Sequence, residues 1–85
     1  MAHWTRKPQE VEGNHRFSSR MVMTRAFEAT VSPDERNALI ACLRRAVEHH
    51  DGLDYLQVFH TDEDERVVWC IDDGTHVTWL LPSDY

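Results

Sequence analysis

The sequence predicts a small α+β domain, a β-α-β-β-β two-layer sandwich in which one helix packs on a mostly antiparallel sheet. Two observations predict this class. A capped, amphipathic segment lies in the middle of the chain, and three strand-like segments joined by two acidic turns follow it. The chain has 85 residues, which is enough for one domain with one hydrophobic core.

The predicted helix covers residues 33–50. Ser32 is placed to cap it, Pro33 occupies its first position, and Glu35 completes a capping box with Ser32. Gly52 follows the last turn, where glycine commonly ends helices. Apolar residues recur at helical spacing and form one stripe: Leu39, Ile40, Leu43, Ala46 and Val47.

Four segments have strand-like composition or alternation: residues 21–27, 54–60, 66–71 and 75–81. Residues 61–65 and 72–74 separate the last three, and Asp73-Gly74 is a typical tight-turn pair. The last three strands are therefore expected to form an antiparallel meander.

Residues 1–20 are polar, contain proline and glycine, and have no sustained periodicity. They predict a flexible basic arm that precedes a single domain of residues 21–85. The alternative is that Trp4 and Phe17 anchor this segment on the domain.

Both faces of the predicted meander are apolar, although a single helix covers only one face of a sheet. We therefore expect a second copy of the chain or a partner to cover the other face, in preference to residues 1–20. Trp69 and Trp79 are expected to face each other across neighbouring strands. Four residues are candidates for the apolar interface: Tyr55, Phe59, Val68 and Leu80.

The formal net charge of −6 disfavours binding of nucleic acid by the folded body and favours basic partners. The two acidic turns are the candidate protein-binding surface, expected at opposite ends of the meander. The alternative is that these acids only maintain solubility. The candidate residues are Asp62, Glu63, Asp64, Glu65, Asp72 and Asp73.

A second hypothesis is a DNA-associated regulatory or accessory protein that uses the basic N-terminal segment. Residues 1–25 contain five basic residues against two acidic ones, whereas the remainder of the chain is strongly acidic. The candidate nucleic-acid contacts are Arg6, Lys7, Arg16 and Arg20.

A third hypothesis is a small metal-dependent enzyme. His60 and His76, with Asp72 and Asp73, are the best candidate ligands, but a metal site requires three or four that converge. Both cysteines, Cys42 and Cys70, lie in segments expected to be buried, and no serine lies in a nucleophile motif. We therefore predict no catalytic residues, no metal and no cofactor.

No apolar run approaches the length of a membrane-spanning helix, and the first residues do not resemble a signal peptide. The predicted location is therefore the cytoplasm, with no membrane partner.

Three segments resemble a family of short proteins of unknown function carried by phages, plasmids and conjugative elements of Gram-positive bacteria: residues 23–27, 53–59 and 71–85. The resemblance covers about residues 22–85, and it implies a context and no chemistry. Small acidic proteins of mobile elements often bind host proteins. The resemblance therefore implies a non-enzymatic binding module, such as an anti-defence (anti-CRISPR-like) inhibitor that docks on a basic host surface.

Overall fold

The computed structural model describes residues 3–85 and confirms the α+β class. Residues 1 and 2, which belong to the predicted arm, lie outside this described range. None of the helices within it is long and apolar enough to cross a membrane. The elements in chain order are β1 (Trp4–Arg6), β2 (Arg20–Met23), α1 (Arg25–Thr30), α2 (Pro33–His50), β3 (Leu56–Thr61), β4 (Val67–Asp72), β5 (His76–Leu80) and a 3-10 turn (Pro82–Asp84).

The five strands form one sheet in the order β1-β3-β4-β5-β2. The predicted meander β3-β4-β5 is antiparallel and occupies the centre. Strand β1 adds to it antiparallel at one edge, and β2 adds parallel to β5 at the other. The sheet is therefore mostly antiparallel, as predicted, and β4 is its central strand.

Helix α2 has the predicted bounds and the predicted cap. The Ser32 side chain accepts a hydrogen bond from the Glu35 N–H, and the Glu35 carboxylate accepts one from the Ser32 N–H. Asp51 ends the helix in the left-handed conformation. The buried stripe of α2, formed by Leu39, Leu43 and Ala46, packs into the same core as the sheet.

The first predicted strand, residues 21–27, is only partly confirmed. Strand β2 ends at Met23, and the Thr24 hydroxyl then accepts a hydrogen bond from the Phe27 N–H and caps α1. Phe27 is thereby buried against Trp79, with ring centroids 5.7 Å apart. A side-chain cap, which competes with strand formation, is the physical reason for this difference.

The N-terminal segment belongs to the fold, which corrects the prediction of a flexible arm. Residues 4–6 pair with β3, and His15 forms an antiparallel bridge with Leu53. Trp4 and Phe17 are 7% and 5% exposed. The alternative, in which these two aromatic residues anchor the segment, therefore describes the structure.

The two central tryptophans do not face each other, so this prediction is wrong. Trp69 pairs with Leu80, and Trp79 pairs with Cys70. Because side chains alternate along a strand, a register shifted by one residue places the two rings on opposite faces. Trp79 is fully buried in the core beneath α2, whereas Trp69 points to the other side of the sheet.

Candidate functional site

The side of the sheet opposite α2 is a predominantly apolar surface, which we call the open face. Trp69 lies at its centre on β4, between Val58 of β3 and Leu80 of β5. The pairing Leu56–Ile71–Thr78–Val22 adds a second row. The apolar residues of the open face are Val22, Leu56, Val58, Val67, Trp69, Ile71 and Leu80.

Most of these side chains remain accessible, which distinguishes them from the core. Val67 is 39% exposed and Trp69 is half-buried, whereas Phe59 and Val68 on the opposite side are fully buried. Leu80 is the exception on the open face, with 5% exposed. Helix α2 therefore covers one face of the sheet, and the other keeps apolar surface in contact with solvent.

This geometry revises the predicted apolar interface. Phe59 and Val68 lie beneath α2 and cannot contact a partner, so their assignment is wrong. Leu80 lies on the open face but is largely covered, and Tyr55 is 48% exposed just before β3. The prediction failed because strand alternation identifies two apolar faces and does not identify which one the helix covers.

A groove borders the open face on its β3 side. It has a volume of about 240 Å³ and lies between residues 7–11 and β3. Its apolar lining includes Pro8, Val11, Leu56 and Val58. The ring of Tyr85 meets Trp69 edge-on, with centroids 5.7 Å apart. The open face thus has a concave margin and an aromatic contact at its centre.

The two ends of the open face carry different charges. Arg20 and His76 pair at one end, next to the β4–β5 turn, which carries Asp73. His60 lies at the other end, and its Nδ1 is 3.4 Å from the Asp62 carboxylate. Within the described strands, no Asp or Glu occupies an open-face position. The exposed acids of the two turns, such as Asp62 and Asp73, lie at the strand ends, as the sequence predicted.

Side-chain hydrogen bonds between neighbouring residues fix the loop between β3 and β4, residues 62–66. The Asp64 carboxylate accepts from the Thr61 hydroxyl and from the Arg66 Nε, the latter at 2.8 Å. The Arg66 guanidinium, and secondarily the Thr61 hydroxyl, lower the pKa of Asp64. All four acids of this loop are exposed, but the Asp64 carboxylate is engaged within the loop, whereas those of Glu63 and Glu65 are not. We call this segment the acidic loop.

The Arg66 side chain extends from this loop and forms an ion pair with the buried carboxylate of Glu35. We call the group formed by Arg66, Glu35 and Trp4 the clamp. The Arg66 guanidinium donates to Glu35 Oε2 at 2.6 Å and to Oε1 at 3.2 Å, and also to the Thr30 carbonyl at 2.7 Å. The Trp4 indole N–H donates to the same carboxylate at 3.0 Å, and the guanidinium carbon lies 5.0 Å from the Trp4 ring centroid. Chiefly through Arg66, this environment lowers the pKa of Glu35 from 4.5 to about 2.

The clamp was missed from the sequence, although Glu35 was identified as a cap. Arg66 is the only basic residue among the acids of residues 62–66, and this isolated charge was the available signal. The clamp joins β1, the start of α2 and the acidic loop, so it fixes the loop against the body of the protein. A fixed loop loses less conformational entropy on binding than a mobile one.

The other predicted acidic turn is mostly structural. Asp72 is 5% exposed, and its carboxylate accepts from the Phe17 N–H at 3.1 Å and the Gly74 N–H at 2.9 Å. The Asp73 carboxylate accepts from the N–H groups of His76 and Thr75, and these bonds lower the pKa of Asp73. The assignment of Asp72 to a docking surface is therefore wrong, and Asp73 organises the turn.

Of the four basic residues predicted to contact nucleic acid, Arg20 lies apart from the other three. Arg6 donates to the Gln57 side chain at 2.7 Å and contacts His50, while Arg16 pairs with Asp51 at 2.5 Å. Lys7 lines the groove beside β3, and Arg20 lies on β2 at the other edge of the sheet. The structure therefore places Arg6 and Arg16 beside the adjacent residues His50 and Asp51 and puts Arg20 at the far edge of the sheet.

The reactive side chains are likewise dispersed. Burial raises the pKa of the Cys70 thiol far above its usual range. His60 and His76 lie at opposite ends of the open face, contrary to the proximity considered for a metal site. Among residues 3–85, no three His, Cys, Asp or Glu side chains converge on a position that could hold a metal ion.

No family model, curated protein or solved structure matches this chain. The resemblance to short proteins of mobile elements therefore stays a prediction.

Proposed function

We propose that this protein is a non-enzymatic protein-binding module that docks through the open face of its sheet. The observation that carries the proposal is the accessible apolar surface around Trp69, on the side of the sheet opposite α2. Contiguous apolar surface of this kind marks interaction sites in small proteins, and tryptophan is a frequent energetic centre of interfaces.

The charges at the margin indicate the chemistry of the partner. The acidic loop lies at one end of the open face, and Arg66 holds it in place from inside the protein. Its exposed carboxylates, on Asp62, Glu63 and Glu65, favour a partner whose apolar patch is flanked by basic side chains. The negative net charge of the chain favours the same kind of partner through long-range attraction.

In the context of a mobile element, the partner would be a host protein with a basic surface, such as a nucleic-acid-binding component of bacterial defence. An inhibitor of this type would cover the basic surface and exclude the nucleic acid. The open face would supply the affinity, and the acidic loop would supply orientation and rate of association.

The proposal is tested by comparing proteins captured from a bacterial lysate by the wild type and by two lysine variants. Trp69→Lys places a charge at the centre of the open face, whereas Ala41→Lys adds the same charge at an exposed position of α2. We expect a captured protein that is lost with Trp69→Lys, kept with Ala41→Lys, and weakened by high salt. Equal capture by both variants would show that the open face is not the docking surface.

The contribution of the acidic loop is tested separately with Glu63→Lys combined with Glu65→Lys. We expect slower association and a weaker salt dependence, with a smaller effect on the dissociation rate. Asp34→Lys with Glu28→Lys changes the net charge equally at exposed helical positions and serves as the control. If both pairs slow association equally, only net charge matters and the loop has no specific role.

A further inference from the structure

We propose that a groove between β1 and helix α2, which we call the basic groove, binds the phosphate group of a small phosphorylated molecule. Trp4 and Arg6 of β1 point towards α2, so the groove lies on the helix side of the sheet and is separate from the open face. The inference therefore goes beyond the proposed function. Two arginine side chains line the groove, their charges are not paired within residues 3–85, and the space beside them is large enough for a small molecule.

The basic groove consists of two cavities that share part of their lining. Their volumes are about 490 and 610 Å³, within the range of about 300–1,000 Å³ that is typical of small-molecule sites. Arg6, Cys42 and Arg45 line both cavities, so the two are continuous at these residues. Cys42 and Arg45 are three positions apart on α2 and therefore lie on the same side of the helix.

The Arg6 guanidinium is held in position on the β1 side of the groove. It donates to the Gln57 side chain at 2.7 Å, and a second nitrogen lies 3.1 Å from Nε2 of His50. Arginine only donates, so His50 is the acceptor in this contact, and neither partner supplies a negative charge. A guanidinium has five N–H donors and these contacts use two, so three remain for a ligand.

Arg45 contributes a second guanidinium from α2. It is exposed, and within residues 3–85 it forms no ion pair. Glu35 lines one of the two cavities, but its carboxylate is neutralised by Arg66 at 2.6 Å. Glu48 lines only the cavity at the C-terminal end of α2. The part of the groove that Arg6 and Arg45 share is therefore locally positive, in a chain whose net charge is −6.

The pair of guanidiniums favours phosphate over a carboxylate. A guanidinium pairs with phosphate through two parallel N–H···O bonds. A phosphate monoester carries about −1.5 to −2 charges at neutral pH and has three terminal oxygens, so it can pair with Arg6 and Arg45 together. A carboxylate, with one charge and two oxygens, would leave one guanidinium uncompensated. His3 lines one cavity and His49 the other, and both can hydrogen-bond the rest of the molecule.

An NMR titration of the full chain with ribose 5-phosphate tests this inference, with ribose as the matched neutral compound. We expect saturable shifts of the Nε–H resonances of Arg6 and Arg45 with ribose 5-phosphate and none with ribose. Inorganic phosphate should shift the same two resonances. If neither phosphate compound caused saturable shifts, or if ribose acted like ribose 5-phosphate, the phosphate site would be refuted.

Two adjacent arginines of α2 provide a matched pair of variants. Arg45→Gln should weaken binding of ribose 5-phosphate at least about tenfold, because it removes charge-assisted hydrogen bonds to the phosphate. Arg44→Gln removes the same charge from an exposed position that lines a cavity on the other side of α2, and it should bind like the wild type. Circular dichroism verifies folding of both variants. Equal weakening by the two would show that only net charge matters and would overturn the assignment of the groove.

A single-stranded oligonucleotide without terminal phosphates distinguishes the other source of phosphate groups. If it bound through Arg45 while ribose 5-phosphate and inorganic phosphate did not, the ligand would be a nucleic-acid strand, and the proposal of a small phosphorylated molecule would be wrong. Trp69→Lys changes only the open face and should leave the binding of ribose 5-phosphate unchanged. The phosphate site and the proposed function can therefore fail independently of each other.

Discussion

Replacement of Glu35 by glutamine should remove a pH-dependent part of the stability of this fold. The lowering of the Glu35 pKa from 4.5 to about 2 measures how strongly the folded state prefers the carboxylate. A tenfold change in proton affinity corresponds to about 1.4 kcal/mol, so the full effect would be about 3 kcal/mol. Because Arg66 is partly exposed, with 22% of its side chain accessible, we expect about 2–3 kcal/mol.

The stabilisation by the ionised Glu35 carboxylate depends on pH, and the lowered pKa of Glu35 sets the direction of this dependence. A lowered pKa means that the stabilisation is fully present above pH 4.5 and is lost as the pH falls from there towards 2. Glu35→Gln should therefore cost about 2–3 kcal/mol at pH 7 and much less at pH 2.5. Urea unfolding followed by circular dichroism at both pH values measures the difference.

Asp34→Asn is the matched control, because Asp34 is the exposed neighbour in the same first turn of α2. Its effect should be small at both pH values. An equal cost of Glu35→Gln at pH 7 and pH 2.5 would refute the assignment of the clamp as an ionised pair, and would indicate a loss of packing alone.

Three further predictions test the packing of the fold. Gly13→Ala should lower the free energy of unfolding by at least about 2 kcal/mol, because the new Cβ would lie 2.5 Å from the Leu53 carbonyl oxygen. Gly74→Ala should lower it by about 1 kcal/mol through its positive φ alone, because no atom lies within 4 Å of the corresponding Cβ. Equal melting temperatures of the two variants would contradict this. Trp4→Phe should lower the free energy of unfolding in urea more than Trp79→Phe does, although Trp79 is buried more deeply. The reason is that the Trp4 N–H donates to Glu35, whereas the Trp79 N–H has no acceptor in the described part of the chain. The reverse order would refute this explanation. Phe17→Ala should cost about 3–5 kcal/mol because Phe17 is 5% exposed within the core, and a cost below about 1 kcal/mol would show that the N-terminal segment is only loosely attached.

The sequence was sufficient where the determining interactions are local. The capping box between Ser32 and Glu35 spans four residues, so it identified the start of α2 correctly. The β3-β4-β5 meander was likewise recognisable, since short turns join consecutive strands. The fold class and the apolar stripe of α2 were therefore accessible from the sequence, whereas the core face of the sheet was not.

Interactions between distant residues explain the remaining errors. Strand β1 has three residues and forms by pairing with β3, more than fifty positions away, so its own sequence has no detectable periodicity. Asp72 belongs to an acidic turn, and its burial depends on the N–H of Phe17, which lies 55 positions earlier. The one-residue difference in register between Trp69 and Trp79 also depends on the geometry of the whole turn.

The most direct measurement of the open face is an amide and indole ¹H–¹⁵N NMR titration, which resolves the side-chain N–H of all three tryptophans. Trp4 and Trp79 lie in the core beneath the helix side of the sheet, and Trp69 lies on the open face. When a partner is added, the Trp69 indole resonance should move while those of Trp4 and Trp79 stay in place. Saturable binding that leaves the Trp69 resonance unchanged would contradict the central claim that this protein acts through the open face.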